Sequence, residues 1–240
     1  MPRFFIDYVP EEQTTIVGDD ARHISRSLRM KPGERLVLCD SIGTDYNCEI
    51  TRISDEGVVV RVLNFCKTVA EPTVKVTIYQ GLPKADKMDG IVQKSVETGA
   101  VRVVPVLSGR CVSRPDEKSA AKKVARWQKI AEEAAKQSGR GVIPQVSPLM
   151  PFRAAVEEAA QNGSILLFYE GGGSSIAQLV NRESGNLAVF IGPEGGFEKS
   201  EVDFVLQNGG QIGTLGPRIL RTETAPIAAL AAIMLASGNM

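Results

Sequence analysis

The first 70 residues alternate apolar and polar side chains in short runs. Three runs have the composition of β-strands and are separated by turn-forming residues: Arg35–Cys39, Tyr46–Ile50 and Val58–Leu63. Several short strands at this spacing predict a small barrel or sandwich. One helical insertion is predicted at residues 20–30, before the first of these strands. The first segment is therefore predicted to be mainly β.

From Val74 onward, strand-like runs alternate with helical patterns. Strands are predicted at residues 74–79, 101–106, 164–169, 187–191 and 211–215. Helices are predicted at residues 87–98, 116–137, 152–161 and 200–207 and in the C-terminal segment. This alternation predicts an α/β fold with a mostly parallel sheet. The polar stretch Lys67–Pro72 interrupts the β pattern, so we expect two domains, at residues 1–70 and 71–240.

Charge is balanced over the whole chain but unevenly distributed along it. The chain has 28 Lys and Arg residues and 28 Asp and Glu residues. A net charge of zero argues by itself against a nucleic-acid partner, because phosphate binding is driven by basic charge. However, residues 71–150 carry 14 basic and 8 acidic side chains, whereas residues 1–70 carry 9 and 11 and residues 151–240 carry 5 and 9. The positive middle segment is compatible with RNA binding.

The histidine and cysteine counts exclude several classes of enzyme. His23 is the only histidine, so a multi-histidine zinc site is impossible. The cysteines form no C-x-x-C pair and are interpreted as buried thiols in a reducing compartment. They are Cys39, Cys48, Cys66 and Cys111. The N-terminus lacks the apolar core of a signal peptide, and the apolar run Ala225–Ala236 is too short to span a bilayer. We expect a cytoplasmic protein that needs no metal.

Unusual loops follow three of the predicted strands. They are Glu170–Gly173, Gly192–Phe197 and Leu215–Pro226. In an open parallel sheet, ligands bind outside the carboxyl ends of the strands, and glycines let the backbone approach a ligand closely. One such loop alone would be an ordinary turn, but three together predict a ligand crevice. The chain has no G-x-G-x-x-G after its first strand and no P-loop motif, which disfavours dinucleotide oxidoreductases, P-loop NTPases and the common Rossmann-type methyltransferases.

Several longer motifs carry a resemblance that covers essentially the whole chain. They are Asp20–Arg29, Leu82–Met88, Gln93–Gly99, Glu133–Arg140, Ile191–Phe197 and Leu215–Ala225. In these motifs the chain resembles the family that methylates N3 of uridine 1498 in bacterial 16S ribosomal RNA, part of the SPOUT superfamily of knotted methyltransferases. It departs from the usual family pattern at Ala85, Asp89, Val96–Gly99 and Gly109–Cys111, which affects expected RNA contacts and leaves the cofactor motifs intact.

The resemblance implies a fold, a cofactor and partners. The first domain would be a PUA-like β-barrel that binds RNA, and the second a SPOUT α/β domain with a deep trefoil knot, a rare exception to unknotted topology. The knot would shape the three loops into a pocket for S-adenosylmethionine. The family acts as a homodimer. The resemblance favours 16S ribosomal RNA within the assembled small ribosomal subunit as the substrate.

Methylation at uracil N3 requires that its proton leave. A carboxylate could accept the proton, and a guanidinium could stabilise the anion that develops on the uracil oxygens. Arg221 and Glu223 lie in one short loop and are the expected catalytic residues. In this hypothesis Arg221 orients and polarises the uracil, while Glu223 organises the loop or acts as the base. The alternatives are an Arg221–Glu223 ion pair that only fixes the knot, and Glu194 as the base.

Two larger sets of residues complete the expected site. The cofactor is expected to contact Phe168, Glu170, Ile191, Gly192, Pro193, Glu194, Gly195, Gly196, Leu215, Gly216, Ile219, Leu220 and Ala225. RNA is expected to contact Arg22, Arg26, Arg29, Lys84, Lys87, Lys94, Arg110, Arg126 and Arg140. Thr224 is expected to be a helix N-cap rather than a cofactor ligand, because Pro226 follows it in the first turn. Trp127 is expected to be a packing residue rather than a base-stacking platform.

Two other classes of function remain open from the sequence alone. The first is a non-catalytic RNA-binding factor in ribosome assembly, which would bind no S-adenosylmethionine. The second is an α/β enzyme that acts on a small molecule, which would show no salt-dependent association with RNA.

Overall fold

The chain divides into two units in the computed structural model, which describes all 240 residues. The first unit contains Met1–Glu71 and Ala135–Ile143. The second unit contains Pro72–Ala134 and Pro144–Met240. The chain thus changes unit at the polar stretch before Thr73, and one short later segment belongs to the first unit.

The first unit is built on a five-stranded mixed sheet. Its strands are β1 (Arg3–Phe5), β2 (Gln13–Ile16), β3 (Arg35–Cys39), β4 (Thr44–Ser54) and β5 (Gly57–Lys67). The strand order is β1-β3-β4-β5-β2, in which β1 is parallel to β3 and the other pairs are antiparallel. The predicted helical insertion is present as α1 (Gly18–Arg22), continued by a π-helical turn over His23–Ser27.

Alternation along these strands places the core of the first unit on one face of the sheet. Leu36 and Leu38 of β3 and Val58 and Val60 of β5 are buried in one cluster with Ile24 from the π-helical turn. The opposite end of β5 is exposed, which corrects one prediction. Of the four cysteines expected to be buried, Cys66 is exposed because solvent reaches the last five residues of β5 on both sides.

The second unit has eight strands, and every pairing in its sheet is parallel. The strands are β6 (Lys75–Gly81), β7 (Ala100–Leu107), β8 (Gln145–Val146), β9 (Met150–Pro151), β10 (Ser164–Phe168), β11 (Ser174–Ser175), β12 (Asn186–Ile191) and β13 (Gln211–Thr214). Their order is β11-β13-β10-β12-β6-β7-β8, and β9 also pairs with β7. This arrangement confirms the predicted parallel α/β sheet.

Helices cover both faces of this sheet. They are α2 (Lys87–Glu97), α3 (Glu117–Ser138), α4 (Phe152–Asn162), α5 (Ile176–Leu179), α6 (Lys199–Gln207) and α7 (Ala225–Ala236). Strand β12 shows how alternation creates the two layers. Leu187 and Val189 lie in a cluster with residues of α7, whereas Ala188 and Phe190 lie in a cluster with residues of α4 and α6. Phe190 also stacks on Tyr79 of β6, with ring centroids 4.5 Å apart.

Helix α7 owes its position to its composition. It is apolar along its whole length, and Ala229, Leu230 and Ile233 are fully buried on the sheet. Thr224 occupies the N-cap position, as expected, but its side chain makes no capping hydrogen bond, and Pro226 lies in the first turn. None of the helices combines the length and the apolar character needed to cross a membrane.

Candidate active site

A cavity of about 680 Å³ lies at the carboxyl ends of three neighbouring strands, β10, β12 and β13. This volume is typical of small-molecule sites. The three loops predicted to form a crevice line it, together with Lys87 at the start of α2. Helix α2 follows β6, which is the neighbour of β12. The cavity is therefore built from four segments that are far apart in the chain.

The cavity wall includes twelve of the thirteen residues expected to contact the cofactor. The exception is Gly195, whose carbonyl oxygen accepts a hydrogen bond of 2.7 Å from Nη1 of Arg110. A Cβ atom at Gly195 would lie 3.1 Å from the Arg110 side chain, so this glycine packs against Arg110 instead of lining the cavity. The wall also contains residues that were not among the expected cofactor contacts or catalytic residues, although five of them lie in the three predicted loops. They are Lys87, Tyr169, Gly172, Phe197, Thr214, Pro217, Arg218 and Thr222.

Glycines permit the tight path of the loops around the cavity. Gly196 and Gly216 have φ values of +66° and +95°, in the left-handed region that side chains other than glycine rarely adopt. Gly81, at the end of β6, touches the loop after β12 so closely that a Cβ atom would lie 2.4 Å from Cδ of Pro193. Backbone freedom and close approach therefore both require glycine here.

A buried polar residue of β6 joins the loops after β12 and β13. Nε2 of Gln80 donates a hydrogen bond of 3.0 Å to Oγ1 of Thr222, and Thr222 donates one of 2.8 Å to the carbonyl oxygen of Gly192. Gln80 is fully buried, and its Oε1 has no hydrogen-bond partner. The sequence carried one sign of this role, since Gln80 is a polar residue at the end of an apolar strand. Its partners, however, are 112 to 142 residues away along the chain.

Charged side chains of both signs line the cavity. They are Lys87, Glu170, Glu194, Arg218, Arg221 and Glu223. Nζ of Lys87 donates a hydrogen bond of 2.8 Å to Oε1 of Glu194 and lies 3.4 Å from Oε2 of Glu223. Arg221 forms no ion pair with Glu223, in contrast to the alternative considered from the sequence. The partner of Glu223 is Lys87 instead.

These contacts shift the pKa values of two of the groups. The hydrogen bond to Glu194, aided by Glu223, raises the pKa of the Lys87 ammonium above its ordinary value. Burial alone would raise the pKa of Glu194, but hydrogen bonds from Lys87 and from backbone N–H groups outweigh burial and lower it. Both effects favour the charged pair.

The basic residues expected to contact RNA occupy three kinds of environment. Most of them are exposed: Arg22, Arg26, Arg29, Lys84, Lys94, Arg110 and Arg126. Lys87 lines the cavity. Arg140 departs from the expectation, since it is 2% exposed and its guanidinium is bound to the carboxylate of Glu71. A group held in this way presents no surface to a phosphate, so we drop Arg140 from the expected RNA contacts.

Comparison with known proteins places the chain in a family. The RNA methyltransferase domain matches residues 70–234 of the chain, and the RNA methyltransferase PUA domain matches residues 16–63. The chain belongs to the RNA methyltransferase family. These matches confirm both the family inferred from the motifs and the PUA-like character of the N-terminal segment.

Several related proteins align with this chain over nearly their whole length. The ribosomal RNA small subunit methyltransferase E of Bacillus subtilis is 38% identical, with 97% of this chain and 96% of the relative aligned. The crystal structure of the Neisseria gonorrhoeae protein of the same name, bound to S-adenosylmethionine, has a TM-score of 0.88 and 34% identity over 98% of this chain and 97% of the other. A Legionella pneumophila structure in complex with S-adenosylmethionine has a TM-score of 0.85 and 29% identity over the same shares.

Proposed function

We propose that the protein transfers a methyl group from S-adenosylmethionine to N3 of a uridine in 16S ribosomal RNA, at position 1498. The observation that carries this proposal is the cavity at the ends of β10, β12 and β13, where Arg221 and Glu223 of the loop after β13 line the wall together with the loops after β10 and β12. Membership of the RNA methyltransferase family supplies the reaction class. The names of the relatives supply the small-subunit ribosomal RNA.

The cavity residues suit S-adenosylmethionine. This cofactor has a flat aromatic base, a carboxylate and two cationic groups, a sulfonium and an ammonium. Phe168, Ile191 and Leu220 offer apolar walls for the base. Oε2 of Glu223 is buried without a hydrogen-bond partner, and Glu170 adds a second carboxylate to the wall. The negative charge of these two carboxylates attracts the cationic groups of such a ligand.

The protein's own residues must prepare the nucleophile. When bound, S-adenosylmethionine supplies an electrophilic methyl group, whose bond to sulfur breaks as the electron pair on N3 forms the new N–C bond. Arg221 orients the uracil and stabilises the negative charge that develops on its oxygens. Glu223 accepts the N3 proton. The remaining cofactor residues fix the position of the methyl group relative to N3.

The test uses small ribosomal subunits and 16S RNA from a strain that lacks the endogenous methyltransferase. Incubation with the purified protein and isotope-labelled S-adenosylmethionine, followed by mass mapping of the RNA, should find one methyl group on the base of uridine 1498. Methylation of another position, or none, would contradict the proposal. A calorimetric titration that finds no binding of S-adenosylmethionine would favour the non-catalytic assembly factor.

The catalytic assignment has a separate test. Arg221→Ala and Glu223→Gln should each lower turnover at saturating cofactor by about 100-fold or more, the usual contribution of such groups. Near-wild-type turnover in both variants would refute the assignment of these two residues, while leaving the methyltransferase activity itself in place.

RNA binding is assigned to exposed cations in both units. The PUA-like first domain would contribute Arg22, Arg26 and Arg29, and the methyltransferase domain would contribute residues of its basic middle segment. These are Lys84, Lys94, Arg110 and Arg126. Each phosphate contact that is removed should reduce the slope of log affinity against log salt by about 0.7 to 0.9.

We also propose the trefoil knot and the homodimer that the resemblance implies. The strand order supports the knot, since the chain passes from β12 to β13 on the far side of β10 and then returns in α7 to pack near α2 and β6. The dimer is supported by the apolar helix α7, in which Leu235 is 69% exposed. Analytical ultracentrifugation of the wild type and of Leu235→Glu tests the dimer. A wild-type protein that sediments as a monomer at micromolar concentration would contradict it.

A further inference from the structure

Three charged side chains from three separate segments converge in the cavity. Lys87 begins α2, Glu194 follows β12, and Glu223 precedes α7. Lys87 is the only cation within ion-pair distance of either carboxylate. Its side chain is about one-third exposed, so it lies in the cavity wall rather than on the open surface.

The two carboxylates differ in how well their oxygens are satisfied. Glu194 accepts hydrogen bonds from Nζ of Lys87 and from the backbone N–H of Lys84, at 2.8 and 3.2 Å. Oε2 of Glu223 is buried and accepts no hydrogen bond. Its only contact with a cation is the one with Lys87 at 3.4 Å. Glu223 is therefore held by a single ionic contact, whereas Glu194 is held by hydrogen bonds from two residues.

We infer that Lys87 is a positioning residue for methyl transfer, which holds the Glu223 carboxylate beside Glu194 in the orientation that lets it take the proton from uracil N3. This inference rests on the proposed function. In the step concerned, the N3–H bond breaks, the proton passes to the Glu223 carboxylate, and the electron pair stays on N3 to form the bond to the methyl carbon. Lys87 keeps its proton throughout.

This role differs from that expected of Lys87 from the sequence, which was a contact with RNA phosphates. A phosphate contact needs a cation free to face the RNA backbone. Lys87 instead has two carboxylate neighbours within 3.4 Å. Glu170, Arg218 and Arg221 are the other charged groups of the wall. The two roles predict different kinetic effects when the ammonium is removed.

The experiment compares Lys87→Met and Lys87→Arg with a control, Lys199→Met. Lys199 lies on α6, outside the cavity, and is 73% exposed. Methylation of 16S RNA should show that Lys87→Met lowers kcat by roughly tenfold or more. Its RNA dissociation constant and the salt dependence of that constant should stay at wild-type values, Lys87→Arg should recover part of kcat, and Lys199→Met should match the wild type.

A double-mutant cycle separates positioning from general support of the fold. Because Lys87 acts through Glu223, Lys87→Met should add little to the kcat loss of Glu223→Gln. A loss of kcat that multiplies in the double variant would overturn the inference. So would a weaker RNA affinity with a smaller salt slope and unchanged kcat, or wild-type behaviour throughout.

A second measurement, which does not depend on enzyme turnover, tests the same contact in variants that are inactive. Carboxyl-carbon NMR should show that the pKa of Glu194 is higher in Lys87→Met than in the wild-type protein, because its ammonium partner is gone. An unchanged Glu194 titration would overturn the arrangement on which the role depends. An inactive wild-type protein with the expected NMR change would instead contradict the proposed function.

Discussion

The guanidinium of Arg140 and the carboxylate of Glu71 form a largely buried, bidentate ion pair. Nε and Nη2 of Arg140 each donate a hydrogen bond of 2.8 Å to the carboxylate. The side chain of Arg140 is 3% exposed and that of Glu71 is 15% exposed. The backbone N–H groups of Gly141 and Val142 donate to the same carboxylate. Within the first unit, this pair binds the segment Ala135–Ile143 to the end of the Met1–Glu71 segment.

Removal of one partner should therefore destabilise the first unit strongly. Arg140→Met leaves the Glu71 carboxylate without its cation, and breaking a buried pair in this way costs about 3–5 kcal/mol. Urea unfolding monitored by circular dichroism should show this loss. The exposed Arg52→Met is the matched control and should change stability by less than about 0.5 kcal/mol. Equal effects of the two substitutions would contradict the importance of the pair.

The same pair predicts how stability depends on pH. Burial alone would raise the pKa of Glu71, but hydrogen bonds from Arg140 and the backbone hold it below its ordinary value. A carboxyl with a depressed native pKa stabilises the fold above its unfolded pKa, about 4.3, and this contribution disappears as pH falls through the native value. Acid titration of the wild type and Glu71→Gln should show a smaller loss of stability below pH 4.3 in the variant. Parallel curves would contradict this.

Cysteine labelling should distinguish one thiol from the other three. Cys66 is exposed, whereas Cys39, Cys48 and Cys111 are buried. Iodoacetamide should modify one cysteine per chain in the native protein and all four after denaturation. Peptide mass spectrometry should locate the native adduct at Cys66. Native modification of any of the other cysteines at a similar rate would contradict the burial described here.

Two glycine substitutions should have opposite effects. Gly81→Ala places Cβ 2.4 Å from Cδ and 2.6 Å from the backbone nitrogen of Pro193, so the cavity loop must move. Overpacking of this kind costs about 1–3 kcal/mol, and we expect weaker binding of S-adenosylmethionine in calorimetry. Gly90 lies inside α2, and a Cβ atom added there would have no neighbour within 4 Å, so Gly90→Ala should stabilise the helix by about 0.5–1 kcal/mol. Equal cofactor affinity in the two variants would contradict the close contact.

Intrinsic fluorescence should report the environment of a single side chain. Trp127 is the only tryptophan, is 3% exposed, and donates a hydrogen bond of 3.1 Å from Nε1 to Oδ1 of Asp89. Its emission should lie at short wavelength, resist acrylamide quenching and shift to the red on unfolding. Because the ring is buried, added RNA should not quench it by stacking. Strong quenching by RNA would indicate the base-stacking role that the sequence disfavoured.

The sequence predicted the long elements well, because their side-chain pattern is strong. The strand at Arg35–Cys39 and the helix that begins at Lys87 lie where the pattern placed them. The pattern did not predict the two-residue strands β8, β9 and β11, since two residues carry no periodicity. The pattern also failed to predict that Cys66 is exposed, because alternating apolar and polar residues do not show how far along a strand other parts of the protein pack against it.

The candidate site was predictable in its loops but not in its ion pairs. Glycines and strand ends are visible in the sequence, and they located the cavity. The partners of Glu223 depend on which strands are neighbours. Lys87 reaches Glu194 and Glu223 because β6 lies beside β12, and nothing local to residue 87 specifies that pairing. Arg140 was misplaced for the same reason, as its partner Glu71 is 69 residues away.

The strand order has a consequence for how the protein is made. Strand β12, the partner of β6, is synthesised more than a hundred residues after β6. Both neighbours of β10 in the sheet, β12 and β13, are also synthesised after it. The cavity wall then needs residues up to Ala225. Non-local parallel pairing of this kind is slow to form. A nascent chain can therefore complete the sheet of its first unit before its catalytic pocket has formed. Translation that stops before α7 should yield a chain that has this sheet but lacks enzymatic activity.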